Sequence, residues 1–190
     1  MMKKLFTIWM IALALFGQAF AQEPTELIVI ADAYGEALNT HDLDTIMSYW
    51  TDDAVYNYAP LPTPFEGKEA VRAFFGALFV GFPDFATTEG RTLAANNIVV
   101  VEHGLDGTHQ GEWMGVPPTG NAVSLPHIDI YEFEGDKIKR AASYLDATSV
   151  MIQLGVVPTP DMPTLVPSFT LPDAEPTGLS PMEADVEHMN

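Results

Sequence analysis

From Phe85 to Asp146 the apolar residues of this chain abandon helical spacing for strand patterning, and one dipeptide inside that stretch fixes how the strands connect. Gly135-Asp136, set between Glu134 and Lys137, is a two-residue hairpin signal. It joins strands expected at Ala122–Phe133 and Lys137–Asp146, and another strand is expected at Asn97–His109. Upstream the period is helical. Thr25 can cap a helix that begins at Glu26 and carries Leu27, Ile30, Ala31, Tyr34 and Leu38 on one face. Asp42 can cap a short second helix presenting Leu43, Ile46, Met47 and Trp50. After a strand at Val55–Tyr58 and a Pro-rich loop, a third helix runs from Lys68 to Val80, with Val71, Phe74, Phe75, Leu78 and Phe79 as its apolar face and Pro83 closing it. A last short helix, Ala147–Leu154, ends at Gly155 as its C-cap. Helices first and antiparallel strands after them predict an α+β fold in a single domain over residues 22–157.

The two ends read differently. Residues 1–21 join a basic start, Lys3-Lys4, to an apolar run of about a dozen residues and an Ala19-x-Ala21 cleavage pattern, which predicts a secretory signal peptide. The run is short for a membrane span, so no stable anchor is expected after cleavage, and the chain is expected in the periplasm or outside the cell. There is no cysteine, so the fold must hold without disulfides. Removing Lys3 and Lys4 with the leader leaves 6 basic and 26 acidic residues. That surface repels nucleic acid and anionic lipid. From Pro158 to the end lie seven of the 15 prolines, six acids and no Lys or Arg, without periodicity; this segment, 158–190, is expected to be an extended or disordered tail.

If Gly135-Asp136 is the turn, Glu134 faces Lys137 and, counting back, His127 faces Tyr144. Asp146 then lies two residues further along the same face, with Ile138, Arg140 and Ala142. A carboxylate and an imidazole on a mixed apolar face suit general acid/base work, and a carboxylate in an apolar cavity has its pKa raised. Two plainer readings stand beside this one. Asp146 also sits where a helix N-cap belongs, and a lone histidine is commonly a hydrogen-bonded core residue. A metal site from His103, His109, His127 and Asp146 is not expected, because His103 and His109 are roughly 20 Å apart along one strand. There is no nucleophile elbow and no phosphate-binding glycine loop.

The segments GTHQGEWMGVPPTG (107–120), PHIDIYEFEGDKIKRAASYLD (126–146) and QLGV (153–156), with GFPDF (81–85) before them, resemble the SnoaL-like polyketide cyclases, also called predicted ester cyclases, over residues 26–157. The resemblance implies a nuclear-transport-factor-2-like fold: a cone-shaped, curved antiparallel sheet packed by N-terminal helices around an apolar pocket, commonly in a homodimer. It implies metal-free and cofactor-free ring closure by intramolecular aldol chemistry. It also implies Asp146 as general acid/base, assisted by His127. The relatives tend to carry Trp where Tyr144 stands. Trp50, Phe75, His109, Trp113 and Tyr144 are the candidate substrate contacts, with Trp113 and Met114 at the pocket mouth or a dimer seam. The expected partner is a small apolar carbonyl compound, turned over by proton abstraction alpha to its carbonyl. A non-catalytic ligand-binding or dimerisation module on the same fold is the alternative.

Overall fold

The computed structural model describes residues 24–88 and 90–159 of the 190-residue chain. The expected leader and tail residues 160–190 lie outside the described residues. Among those described, no helix is long and apolar enough to cross a membrane.

Helix α1 (Pro24–Thr40) buries Leu27, Ala31, Tyr34 and Leu38, the face that the helical spacing picks out. Helix α2 (Leu43–Ser48) is capped by Asp42, whose carboxylate accepts from the Asp44 amide. It stops before Trp50, which opens strand β1 (Trp50–Tyr58) instead of closing the helix. After β2 (Phe65–Glu66), helix α3 (Lys68–Gly81) buries Val71, Phe74 and Phe75. Strands β3 (Ala86–Thr87), β4 (Arg91–Ala95), β5 (Ile98–Thr108), β6 (Ala122–Glu134) and β7 (Lys137–Tyr144) follow, then helix α4 (Ala147–Gln153). Gly155, at φ +75°, ends α4: its N–H bonds the Ile152 carbonyl and that of Val156 the Met151 carbonyl.

The strands form one open, curved sheet in the order β2-β1-β7-β6-β5-β3, with β4 also paired to β5. Every pairing is antiparallel except β1–β7, which is parallel and departs from the all-antiparallel sheet expected. The long β6 alternates inside and outside with period two: Val123, Leu125, His127, Asp129, Tyr131 and Phe133 are buried, while the residues between them face outward or lie part-buried.

The β6–β7 hairpin is where expectation and structure part. Glu134 does face Lys137, as the turn predicts, and Phe133 faces Ile138. Glu132 then faces Arg140, so β7 carries one extra residue, a bulge at Lys139. Beyond it every pairing slips by one: Ile128 faces Tyr144 and Asp129 faces Ser143. A one-residue slip exchanges the faces of a strand. Ala141 and Ser143 therefore point inward, and Tyr144 is 51% exposed.

The segment from His109 to Asn121 folds back onto the end of α3. The N–H groups of Gln110 and Gly111 both donate to the Gly81 carbonyl, at 2.9 and 3.1 Å. A Cβ at Gly111 would lie 2.1 Å from the Val80 carbonyl oxygen, so only glycine fits. Trp113 and Val116 exchange backbone hydrogen bonds around Met114 (φ 49°) and Gly115 (φ 79°), a two-residue turn with both central residues left-handed.

Candidate active site

The concave side of the sheet and the aromatic faces of α1 and α3 enclose an apolar cavity of about 70 Å³. Trp50, Phe75 and Trp113 line it. Trp113 packs edge-on against Phe74 and Phe82, with centroids 5.6 and 6.1 Å away, and belongs to the cavity wall.

At the polar end of the cavity, β5, β6 and β7 bring together His103, His127, Asp129 and Ser143, with Tyr131 on the same face of β6. Their meeting follows from register. His103 faces His127 directly across the β5–β6 ladder, and their rings are 5.0 Å apart. Asp129 and Tyr131 follow His127 at two-residue intervals on the inner face, and Ser143 faces Asp129 from β7.

The Asp129 carboxylate is the hub. It accepts hydrogen bonds from His103 Nε2 at 3.0 Å and from the Tyr131 hydroxyl at 2.9 Å. It also accepts one from Ser143 Oγ, which in turn accepts from the Tyr56 hydroxyl at 2.8 Å. Burial pushes the Asp129 carboxyl up, but the hydrogen bonds from His103 and Ser143 and the nearby His127 imidazole outweigh that, leaving it below its ordinary value. It is an ionised carboxylate and a weak base. Burial, aided by the charge of Asp129, pushes the phenols of Tyr34, Tyr56 and Tyr131 well up, so each is a neutral hydroxyl.

His127 differs from its neighbours. Its side chain is 9% exposed and Nε2 lies 3.5 Å from Asp129 Oδ1. Even so, neither ring nitrogen has a hydrogen-bond partner. Burial lowers its pKa, and the opposing pull of Asp129 does not restore it. A neutral imidazole with an uncommitted lone pair thus faces a cavity beside a fixed negative charge. Leaving such buried nitrogens unpaired costs about 1–3 kcal/mol each, a cost that a bound molecule would remove.

Tyr34 completes the arrangement. Its hydroxyl accepts from Trp50 Nε1 at 3.2 Å. Among the described residues none takes the Tyr34 O–H proton, and the side chain lines the cavity. A second hollow of about 440 Å³, more polar than the first and bordered by Asp32 and Glu36 of α1, shares His103 and Tyr131 with it.

Three of the expected site residues lie elsewhere. Asp146 is the N-cap of α4: its carboxylate accepts from the amides of Thr148 and Ser149 at 2.9 and 3.2 Å and from Ser149 Oγ at 2.6 Å. The side chain is exposed, and the hydrogen bond from the Ser149 hydroxyl, with those amides, lowers its pKa instead of raising it. Tyr144 is turned outward by the bulge at Lys139. His109 is fully buried behind the cavity wall, stacked on Phe82 at 5.2 Å, with Nδ1 accepting from the Thr119 amide at 3.3 Å. Sequence reasoning passed over Asp129, Tyr131, Ser143 and Tyr34. The alternation His127-x-Asp129-x-Tyr131 was a usable signal, since period two places all three on one face.

A family model for SnoaL-like polyketide cyclases matches residues 28–154. Among solved structures, the chain is similar to AclR from Streptomyces galilaeus, at 25% identity and a TM-score of 0.64 over 75% of this chain and 87% of that one. It is similar to a SnoaL-like polyketide cyclase from Agrobacterium tumefaciens, at 26% identity and 0.58 over 68% and 98%. A protein of ketosteroid isomerase-like fold from Catenulispora acidiphila, at 16% identity and 0.60 over 67% and 93%, shares the architecture.

Proposed function

The chain belongs to the SnoaL-like polyketide cyclase family and has a nuclear-transport-factor-2-like fold, and from that premise we propose a cofactor-free acid/base enzyme that removes a proton alpha to the carbonyl of a small apolar substrate. The observation that carries this reading is the unpartnered, neutral imidazole of His127 beside the ionised Asp129, at the polar end of an aromatic cavity.

In this mechanism His127 takes the proton from the alpha carbon. The C–H electron pair forms the carbon–carbon double bond of an enolate, and the carbonyl π pair moves to oxygen. Asp129, held by His103, Tyr131 and Ser143, stabilises the imidazolium that forms and stays ionised. The Tyr34 O–H donates to the enolate oxygen, its donor strength raised by the hydrogen bond it accepts from Trp50. The enolate carbon then attacks a second carbonyl of the same molecule and closes a ring, or is reprotonated at another position. The imidazolium returns its proton to the alkoxide or the carbon, so no oxidant or reductant is consumed.

Size supports a small substrate. The cavity of about 70 Å³ is below the roughly 150 Å³ that accommodates benzene, which suits a short acyl fragment better than a ring system. The leader-like residues 1–21 support export, and the outward Ile128–Tyr144 pair on the open sheet supports pairing with a second copy.

The test is deuterium exchange at the alpha carbon of a panel of β-keto esters in D2O, followed by NMR. The protein should accelerate exchange over buffer, and His127→Gln should lower that acceleration by roughly 10²–10⁴-fold while keeping the fold. Exchange at the wild-type rate in His127→Gln would refute the assignment. If no panel member exchanges while one of them binds in the cavity, the binding-module reading takes its place.

A further inference from the structure

We infer that His103, His127 and Asp129 form a chelating site for a first-row divalent cation of the zinc type. The inference goes beyond the acid/base reading and does not rest on it, since it needs only the three donor groups.

The three residues offer one ligand atom each, all within 4.8 Å of one another. The Asp129 carboxylate lies 3.0 Å from His103 Nε2 and 3.5 Å from His127 Nε2. Donors bound at about 2.0–2.1 Å around a tetrahedral ion sit roughly 3.3 Å apart, close to both separations, although the first is to Asp129 Oδ2 and the second to Oδ1. To hold the ion the two rings must tilt together, the carboxylate must turn to share one oxygen, and His103 must give up its Nε2 proton, keeping the neutral ring's proton on Nδ1 and freeing the Nε2 lone pair. The sheet sets this geometry: His103 and His127 are directly opposed across β5 and β6, and Asp129 is two residues from His127 on the same face.

Two further observations point to a cation. Both nitrogens of His127 are buried and without a partner, although hydrogen bonds satisfy the groups around them. The carboxylate is already braced by Ser143 Oγ and the Tyr131 hydroxyl, the kind of support that orients a metal-binding carboxylate. His103 also borders the second hollow, where Asp32 and Glu36 offer a cation an electrostatically favourable approach. Two imidazoles and one carboxylate favour zinc, iron(II), cobalt or copper over magnesium or calcium, which prefer oxygen. The remaining coordination position would open onto the aromatic cavity. An ion there would engage the His127 lone pair, so metal binding and proton abstraction by His127 exclude one another.

The experiment is calorimetric titration of the chelator-stripped protein with zinc chloride, beside His103→Gln and His127→Gln. His103→Gln retains an N–H donor toward Asp129 and guards against loss of fold, which circular dichroism checks. Expected are one zinc ion per chain, at least about tenfold weaker binding in each variant, and an intense visible absorption from the cobalt(II) adduct that both variants lose. No binding near one equivalent overturns the site, and so does binding of equal strength in both variants, which would place the ion on surface carboxylates. The exchange assay separates the two proposals. Zinc that suppresses exchange supports both. Zinc that is required for exchange supports this site, and the cofactor-free mechanism falls.

Discussion

His127 Nε2 lies 3.5 Å from Asp129 Oδ1 without forming a hydrogen bond, whereas His103, directly across the ladder, bonds the same carboxylate at 3.0 Å. One imidazole is committed to the carboxylate and the other is held beside it uncommitted.

Titration should show it. The His127 pKa in the folded chain is below its ordinary 6.5 because burial disfavours the cation. The unfolded chain therefore takes up that proton first as pH falls. The stability tied to neutral His127 is complete above 6.5 and declines as pH drops below it toward the folded value. Asp129, lowered from 3.8, adds stability that is lost only as pH falls through its own folded value, below 3.8. Urea denaturation at a series of pH values should show two acid limbs, and His127→Gln should remove the upper one. Exchange activity should fall at lower pH than the onset of that limb, through the folded His127 value itself, as the imidazole is protonated. It should stay level above 6.5.

Tyr34→Phe isolates the proposed enolate donor. It leaves the ring packed between Trp50 and Tyr131 and removes only the hydroxyl. Exchange catalysed by the protein should drop by roughly 10²–10³-fold, and because the buried Trp50 Nε1 loses its acceptor, stability should fall by roughly 1–3 kcal/mol with the fold kept. An unchanged rate would free Tyr34 of that role.

Asp129→Asn presents an NH2 group to neighbours that already donate. Three hydroxyl or imidazole donors converge on the carboxylate, so an amide leaves at least one of them unpaired. A loss of roughly 1–3 kcal/mol in chemical denaturation is expected. A variant as stable as the parent would mean that the network is not formed as described.

Gly111→Ala tests the docking of the Trp113 turn. Its Cβ would meet the Val80 carbonyl oxygen at 2.1 Å, whereas Gly35, inside α1, has nothing within 4 Å. Gly111→Ala should lower the melting temperature and shift Trp113 fluorescence. Gly35→Ala should raise stability by about 0.5–1 kcal/mol.

How much of this was legible in the chain depended on the kind of signal. Amphipathic faces such as Val71, Phe74 and Phe75 are local and read correctly, and so did the Gly135-Asp136 turn. The bulge at Lys139 left no mark in the sequence. It comes from how the sheet curves, and it moved Tyr144 and Ser143 to opposite faces from those counted. The His103–His127 pairing spans a long loop, so its register could not be counted from either strand. Asp129 could have been found from alternation along β6. The resemblance drew attention to Asp146, where a helix cap and a catalytic carboxylate look alike until the amides of Thr148 and Ser149 are seen to hold it.

Alpha-carbon deuterium exchange measured side by side for the parent, His127→Gln and Asp146→Ala decides which residue takes the proton. His127→Gln should lose the acceleration. Asp146→Ala should lose only its cap, melting about 2–4 °C lower while exchanging at the parent rate. Exchange lost in Asp146→Ala and kept in His127→Gln would contradict His127 as the base and return the chemistry to the strand end.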